Sequence, residues 1–126
     1  MTLRVPVSWG ELIDKITILE IKAERIRDPA KLANIRRELD ELCAVRDVSG
    51  VDLGAVADTV NALRTVNQTL WDVEDAIRLC ERCQDFGPSF IALARDVYFT
   101  NDERARLKRV LNDTLGSELV EEKSYA

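Results

Sequence analysis

The stretch SWGELIDKITILEIKAERIR, residues 8–27, decides the fold. Ser8 and Glu11 have the spacing of a capping box, in which the Ser hydroxyl accepts a hydrogen bond from the backbone N–H of Glu11 and the Glu carboxylate reaches back to the helix start. Apolar residues then recur at intervals of three and four, which predicts the buried face of a helix. This face consists of Leu12, Ile16, Leu19, Ala23 and Ile26.

The same helix is apolar on a second side. At 100° per residue, Ile18 and Ile21 fall roughly opposite the first face. A helix with two apolar sides is expected to lie at the centre of a bundle or to have a partner chain behind it. Lys15 and Lys22 flank the first face on one stripe, seven residues apart, and are therefore candidate binding cations.

A second helix is predicted directly after the first. Asp28 and Pro29 mark the boundary, because Pro restricts the residue before it and is favoured at the first helical position, where Asp28 is available as the cap. The short join predicts an antiparallel helical hairpin. The apolar face of the second helix consists of Leu32, Ile35, Leu39 and Leu42 and ends near Val45.

A long third helix is predicted from a cap at Asp52 to about Gln84, after a loop at residues 47–50. Such a helix would be about 48 Å long at ~1.5 Å per residue. A compact domain of this size has a diameter of about 36 Å. The helix is therefore expected to kink, to protrude or to be shared with a partner chain, and we favour dimerisation through it.

Two further helices are predicted after Gly87. The fourth helix begins at Pro88. A new helix cap is predicted within residues 100–103, where the fifth helix begins, and the fifth helix ends at Gly116. The fold prediction is an all-α bundle of about five helices in one domain, residues 1–126, built on the N-terminal hairpin and the long third helix. One face of the predicted fourth helix consists of Phe90, Ile91, Ala94, Val97 and Tyr98.

Charge and cysteine content narrow the range of functions. The net charge of −5 argues against nucleic-acid binding, which usually requires a basic face. Three cysteines, an odd number, suit a reducing compartment better than a disulfide framework. No apolar run approaches the length of a membrane span. We expect a cytoplasmic protein that binds neither nucleic acid nor membranes.

The chain has no histidine, which removes the usual general base near neutral pH and the usual zinc ligand. Cys80 and Cys83 have the spacing of a redox or zinc motif, but they lie near the end of a predicted helix, and Cys43 is the only further thiol. Zinc would need carboxylates to complete its four ligands. We interpret these cysteines as incidental and expect no metal and no cofactor.

One enzyme alternative is a magnesium-dependent nucleotide hydrolase. Glu38 with Glu41, and Asp72 with Asp75, each place two carboxylates on one helix face. They resemble the pairs with which all-helical nucleotide pyrophosphohydrolases bind magnesium, a cation that prefers oxygen ligands. The sequence departs from that pattern at Asp72, where a Glu is expected.

A second enzyme alternative comes from Leu12-Ile13-Asp14 with Ile18-Leu19 and Arg25, which resemble the opening helix of the all-helical chorismate mutases. That resemblance implies buried cations that hold two substrate carboxylates, a role that Lys15 and Lys22 would take. The matching early arginine is missing. Lysines that flank an apolar face with their charged ends in water are the competing interpretation.

The most basic stretch of this acidic chain lies in the predicted fifth helix. Arg104 and Lys108 are one turn apart and project together, near a helix start whose free N–H groups attract anions. One interpretation is an anion-binding corner; in the other, Asn101 caps the helix and the basic face pairs with the acidic tail. Together with the lysines of the first helix, the candidate binding residues are Lys15, Lys22, Tyr98, Asn101, Arg104, Lys108, Glu122 and Lys123.

Four segments carry a further resemblance, which would extend over nearly the whole chain: GELIDKITILEIK (10–22), KLANIRREL (31–39), DFGPSFIALARDVYFTND (85–102) and EEKSY (121–125). Together they resemble a small bacterial protein family of unknown function, which implies no activity and no catalytic residue. Our leading hypothesis is a non-catalytic binding or interaction module. We expect it to form a homodimer and to hold a partner protein or an anionic metabolite such as a sugar phosphate.

Overall fold

A computed structural model describes residues 1–125, which form four α-helices and one short 3₁₀ helix without any strand. The all-α prediction is confirmed, whereas the structure has four helices where about five were predicted. The predicted domain extends to residue 126, which lies outside the described residues. The helices are α1 (Trp9–Arg25), α2 (Pro29–Val48), α3 (Ala57–Arg82) and α4 (Pro88–Leu115), and the 3₁₀ helix is Gly54–Val56.

The predicted fourth and fifth helices are one continuous helix, α4, and no restart occurs at residues 100–103. Asn101 is half-buried inside α4 and does not cap a helix. The reason is tertiary: an unbroken helix keeps Val97, Leu107 and Leu111 on the face that packs against α1 and α3. Burial of this face outweighs the weak preference of Asn and Asp for helix ends.

The centre of the fold is α1, which contacts each of the other three α-helices. Half of the predicted capping box forms: Ser8 Oγ accepts a hydrogen bond from the backbone N–H of Glu11 at 3.2 Å, whereas the Glu11 carboxylate binds Lys108 Nζ at 2.9 Å. Ile21, on the second apolar side, is only 2% exposed. Ile18, on the same side, is half-buried, so the second side of α1 lies largely within the chain itself, as the central-helix alternative expects.

Helix α2 follows α1 after a three-residue join, residues 26–28, and packs against it. Asp28 caps α2 as predicted, because its carboxylate accepts a hydrogen bond from the backbone N–H of Lys31 at 3.0 Å. No residue of α2 is fully buried, although Leu39 and Leu42 reach the core. The core consists of Leu12, Ile13, Ile16, Val56, Leu63, Leu107 and Leu111.

Helices α3 and α4 extend past the end of α1. Their 26 and 28 residues correspond to about 39 and 42 Å, whereas the 17 residues of α1 span about 25 Å. Arg25, the last residue of α1, forms an ion pair with Asp72 of α3 at 2.6 Å. Between Val73 and Leu107 no residue is fully buried. The far parts of α3 and α4 therefore form a protruding pair in which no side chain is fully buried.

The ends of α3 differ from the prediction. The carboxylate of Asp52 accepts a hydrogen bond from the backbone N–H of Gly54 at 2.8 Å and starts the 3₁₀ turn, so α3 begins only at Ala57. Gln84, with φ of 54°, takes the left-handed position after α3. Among residues 1–125, none of the helices combines the length and apolarity needed to cross a membrane.

Candidate functional site

The site begins where the start of α1 meets the end of α4. The backbone N–H of Gly10 donates to Asn112 Oδ1 at 2.6 Å, and that of Trp9 donates to Ser117 Oγ at 2.8 Å. A Cβ at position 10 would lie 2.5 Å from the carbonyl oxygen of Lys108. Glycine therefore permits a close approach of the two helices, and this approach brings the acidic side chains of α1 to the basic side chains of α4.

A buried ionic network joins α1, α3 and α4. Asp14 is 1% exposed and accepts hydrogen bonds from Arg104 Nε at 2.9 Å, from a terminal nitrogen of Arg104, and from Asn67 Nδ2 at 3.0 Å. Asn67 Nδ2 also donates to Thr17 Oγ1 at 2.9 Å, and that hydroxyl donates to the carbonyl oxygen of Asp14 at 2.8 Å. Within residues 1–125 no buried side-chain polar atom lacks a partner, so the network is fully satisfied.

Lys108 lies one turn after Arg104 and is largely buried, with 11% of its side chain exposed. Its Nζ lies 2.9 Å from Glu11 Oε2, 3.1 Å from Glu121 Oε2 and 4.0 Å from Asp14 Oδ2. Burial lowers the pKa of Lys108, but the hydrogen bonds to Glu11 and Glu121 outweigh it, so the pKa is raised overall. The hydrogen bond to Asp14 likewise raises the pKa of Arg104. Both cations stay charged at neutral pH.

The chain after α4 has no helix and lies against α4. Glu121 accepts a hydrogen bond from Lys108, and Glu122 accepts one from Arg109 Nη1 at 3.2 Å. The hydrogen bond from Lys108 lowers the pKa of Glu121. The cavity between this tail and α4, lined in part by Lys108, Arg109 and Lys123, measures about 20 Å³. It has room for about one water molecule, so a larger ligand would require the tail to move.

The structure brings together four of the eight predicted site residues. Arg104 and Lys108 belong to the network, while Glu122 and Lys123 lie on the tail beside it, where Lys123 Nζ is 3.7 Å from Glu121. This is the predicted pairing of the basic face with the acidic tail.

The other four predicted site residues lie elsewhere. On α1, Lys15 is exposed and Lys22 is half-buried, and neither forms an ion pair with a described residue. Tyr98 is half-exposed, and its hydroxyl accepts a hydrogen bond from Arg95 Nε at 3.3 Å. Asn101 lies within α4 and has none of the capping role predicted for it.

Neither enzyme alternative finds its expected geometry. In the described part of the chain no three His, Cys, Asp or Glu side chains form a group suited to a metal ion. Glu38, Glu41, Asp72 and Asp75 are all exposed. The mutase-like alternative requires Lys15 and Lys22 together in a closed cavity, but Lys15 is exposed and Lys22 is only half-buried. Cys43, Cys80 and Cys83 are free thiols.

Sequence reasoning missed Asp14, Asn67 and Thr17 as members of the site. A signal for Asp14 was present: at 100° per residue it falls between Ile18 and Ile21, on the second apolar side of α1. A carboxylate on a face that the chain buries requires a charged or hydrogen-bonding partner. The identity of that partner was not readable, because Arg104 lies 90 residues further along the chain.

A larger groove, of about 220 Å³, lies between α1, the end of α2 and the start of α3. Its floor includes Ile13, Ile16 and Val60. The two arginines at its rim are already paired: Arg64 donates to Glu20 at 3.1 Å, and Arg46 donates to Asp47 at 2.9 Å. The groove therefore presents no uncompensated charge to a ligand.

The fold and the site define a class: a small all-α protein in which a buried ionic network joins three helices. The profile of a family of unknown function, DUF6165, matches residues 3–126, and the chain belongs to this family. The resemblance to a family of unknown function is thereby confirmed. No curated protein and no solved structure matches the chain.

Proposed function

We propose that the protein is a non-catalytic binding module of the bacterial cytoplasm that holds a small anionic metabolite, such as a sugar phosphate. The binding site is the surface formed by Arg104, Lys108 and Arg109, which we call the anion corner. One observation carries the proposal: the Glu121 carboxylate, on a tail without helix, meets Lys108 Nζ at 3.1 Å. It occupies the position that an anionic group of a ligand would take.

Two of the three cations of the anion corner are paired with carboxylates inside the fold. Lys108 is held from within the fold by Glu11, and Arg104 is held by Asp14. Glu121, in contrast, is 48% exposed at its side chain, so water reaches its pair with the largely buried Lys108 from one side. A ligand with two negative charges displaces the tail because it replaces the charges of both Glu121 and Glu122.

The chemistry of the corner favours a phosphate over a single carboxylate. When the tail leaves, Lys108 and Arg109 each lose one carboxylate partner, Glu121 and Glu122 respectively. A guanidinium binds two phosphate oxygens in parallel, and an ammonium beside it adds a point charge. A sugar phosphate satisfies both cations at once and leaves its uncharged part in solvent.

The test is titration calorimetry with glucose 1-phosphate and inorganic phosphate, and with glucose as the uncharged control. We expect both phosphates to bind, and Glu121→Gln combined with Glu122→Gln to increase their affinity several-fold, because the internal competitor loses its charge. Lys108→Met should abolish binding, whereas Lys15→Met, an exposed lysine of α1, should not affect it. If neither phosphate binds the double variant more tightly than glucose does, the anion corner is not a binding site.

A second observation supports a second function, self-association. The protruding pair of α3 and α4 carries several large apolar side chains that are about half-exposed, and exposed apolar patches on this scale mark interaction sites. We propose that the module works as a homodimer; a different partner protein is the alternative occupant of this surface. Sedimentation equilibrium of the whole chain separates them, since a mass of one chain at all concentrations excludes the homodimer. The half-exposed apolar side chains of the protruding pair are Leu79, Phe86, Ile91, Tyr98 and Phe99.

A further inference from the structure

The outward face of α4 carries a continuous stripe made of Ile91, Arg95, Tyr98, Phe99 and Asp102, which we call the outer stripe. Their spacing of four, three, one and three residues places them on one side of the helix. That side is opposite the buried face of α4, and all five residues are exposed.

The side chains of the outer stripe are already ordered on one another. The Arg95 guanidinium lies over the Phe99 ring, 5.4 Å from its centroid, and Arg95 Nε donates to Tyr98 Oη at 3.3 Å. The Tyr98 and Phe99 rings are 4.6 Å apart. Tyr, Phe and Arg are enriched at protein interfaces, and side chains that are held in place before association lose less conformational entropy on binding.

The charges of the outer stripe are complementary to those of a second copy. Among the described residues neither Arg95 nor Asp102 has an oppositely charged partner within 4.0 Å. Arg95 lies three positions before Tyr98, and Asp102 lies three positions after Phe99. A two-fold axis between Tyr98 and Phe99 therefore pairs Arg95 with the partner's Asp102, and Tyr98 with the partner's Phe99.

We propose that two copies of the chain associate through the outer stripe, with their α4 helices antiparallel about this two-fold axis. The inference deepens the proposed homodimer by naming its interface, and it does not depend on the anion corner. It also moves the interface from the third helix, where the sequence suggested it, to α4. A two-fold contact uses the same surface on both copies, which the symmetric placement of Arg95 and Asp102 allows.

The area of the outer stripe sets the expected strength of the dimer. Ile91, Tyr98 and Phe99 are 56%, 50% and 53% exposed. A large side chain that is half-exposed offers about 100 Å², so the three contribute about 600 Å² over both copies. Standard stable interfaces bury about 1,200–2,000 Å² in total. Even with the stems of the flanking charged residues, the interface lies below this range, so we expect a weak dimer with a dissociation constant of about 100 μM.

Charge reversal tests both the interface and its direction. Sedimentation velocity on the full chain, over a concentration range from about one to several hundred micromolar, brackets the expected dissociation range. Arg95→Glu and Asp102→Arg should each raise the dissociation constant of the dimer about tenfold, because each places like charges opposite one another. The double variant exchanges the two charges and again places opposite charges face to face. Its dissociation constant should therefore lie within about threefold of the wild-type value. Asp96→Arg, on the same helix but off the stripe, is the matched control.

Each result decides a different claim. A wild-type chain that remains monomeric over the whole range overturns the homodimer and this interface together, with the anion corner unaffected. A dimer that Arg95→Glu leaves unchanged overturns the interface but not the homodimer. If the single variants weaken the dimer and the double variant does not restore it, the antiparallel register is wrong. Circular dichroism of each variant confirms that α4 stays folded.

Discussion

Replacing Asp14 by Asn removes the one negative charge at the centre of the buried network and leaves the shape of the side chain almost unchanged. Asp14 is 1% exposed and receives hydrogen bonds from Arg104 and Asn67. In the variant the Arg104 guanidinium faces a neutral amide. The amide nitrogen of the new Asn is itself a hydrogen-bond donor, and it faces the donor groups of Arg104 or Asn67, with which it cannot form a hydrogen bond. We expect a marked loss in the free energy of unfolding, because a half-buried cation is left without its counter-charge.

The size of the loss follows from burial. Removing one partner of a buried ion pair costs about 3–5 kcal/mol. Arg104 keeps 29% of its side chain exposed, so water replaces part of the lost interaction. The amide oxygen of Asn still accepts one hydrogen bond, worth about 1 kcal/mol. We therefore expect a loss of about 2–3 kcal/mol, which lowers the melting temperature by about 10 °C in a domain of this size.

Urea unfolding monitored by far-UV circular dichroism measures this loss, with linear extrapolation to water. The matched control is Glu74→Gln, the same change from carboxylate to amide in an exposed ion pair with Arg78. There we expect less than about 0.5 kcal/mol. Combining Asp14→Asn with Arg104→Met should cost less than the sum of the two single changes. The reasoning is refuted if Asp14→Asn costs no more than the control, or if the double variant is additive.

Two further perturbations probe the same end of the molecule. Gly10→Ala should lower the free energy of unfolding by about 1–3 kcal/mol in urea, because the added Cβ would lie 2.5 Å from the Lys108 carbonyl and α1 would have to move away. Lowering the pH should undock the tail. The folded-state pKa of Glu121 is depressed, so its contribution is complete above the ordinary Glu pKa of about 4.3 and is lost as the pH falls through the lowered value. Backbone amide shifts of residues 119–125 report this transition, and Glu121→Gln should remove it.

The parts of the fold that the sequence predicts well are those set by neighbouring residues. The start of α1 at Ser8 and the junction at Asp28 and Pro29 depend on side chains within three positions of the backbone groups they satisfy. Such local hydrogen bonds are encoded in the spacing of the residues. They hold in the structure because nothing distant competes with them. The exception is the Glu11 carboxylate, which a distant residue, Lys108, captures.

The parts that the sequence did not predict depend on distant residues. Residues 100–103 have the composition of a helix start, yet α4 runs through them because the flanking turns share one buried face. The candidate site shows the same limit. Arg104 and Lys108 were identifiable as cations one turn apart, but their neutralisation by Asp14 and Glu11 depends on the packing of α1 against α4. No pattern within a single helix reveals this packing.

Replacing the whole buried network by apolar side chains tests directly whether the network serves stability or binding. A triple variant, Asp14→Leu, Asn67→Ala and Arg104→Met, keeps about the same combined volume, and Thr17 keeps its bond to the backbone carbonyl of residue 14. Apolar replacement of a whole buried ion pair is often neutral or stabilising by about 1–4 kcal/mol, whereas loss of one partner is costly. We expect the triple variant to be at least as stable as the wild type in urea, and to bind phosphate more weakly in calorimetry. A triple variant less stable than Asp14→Asn alone would show that the network holds the three helices together.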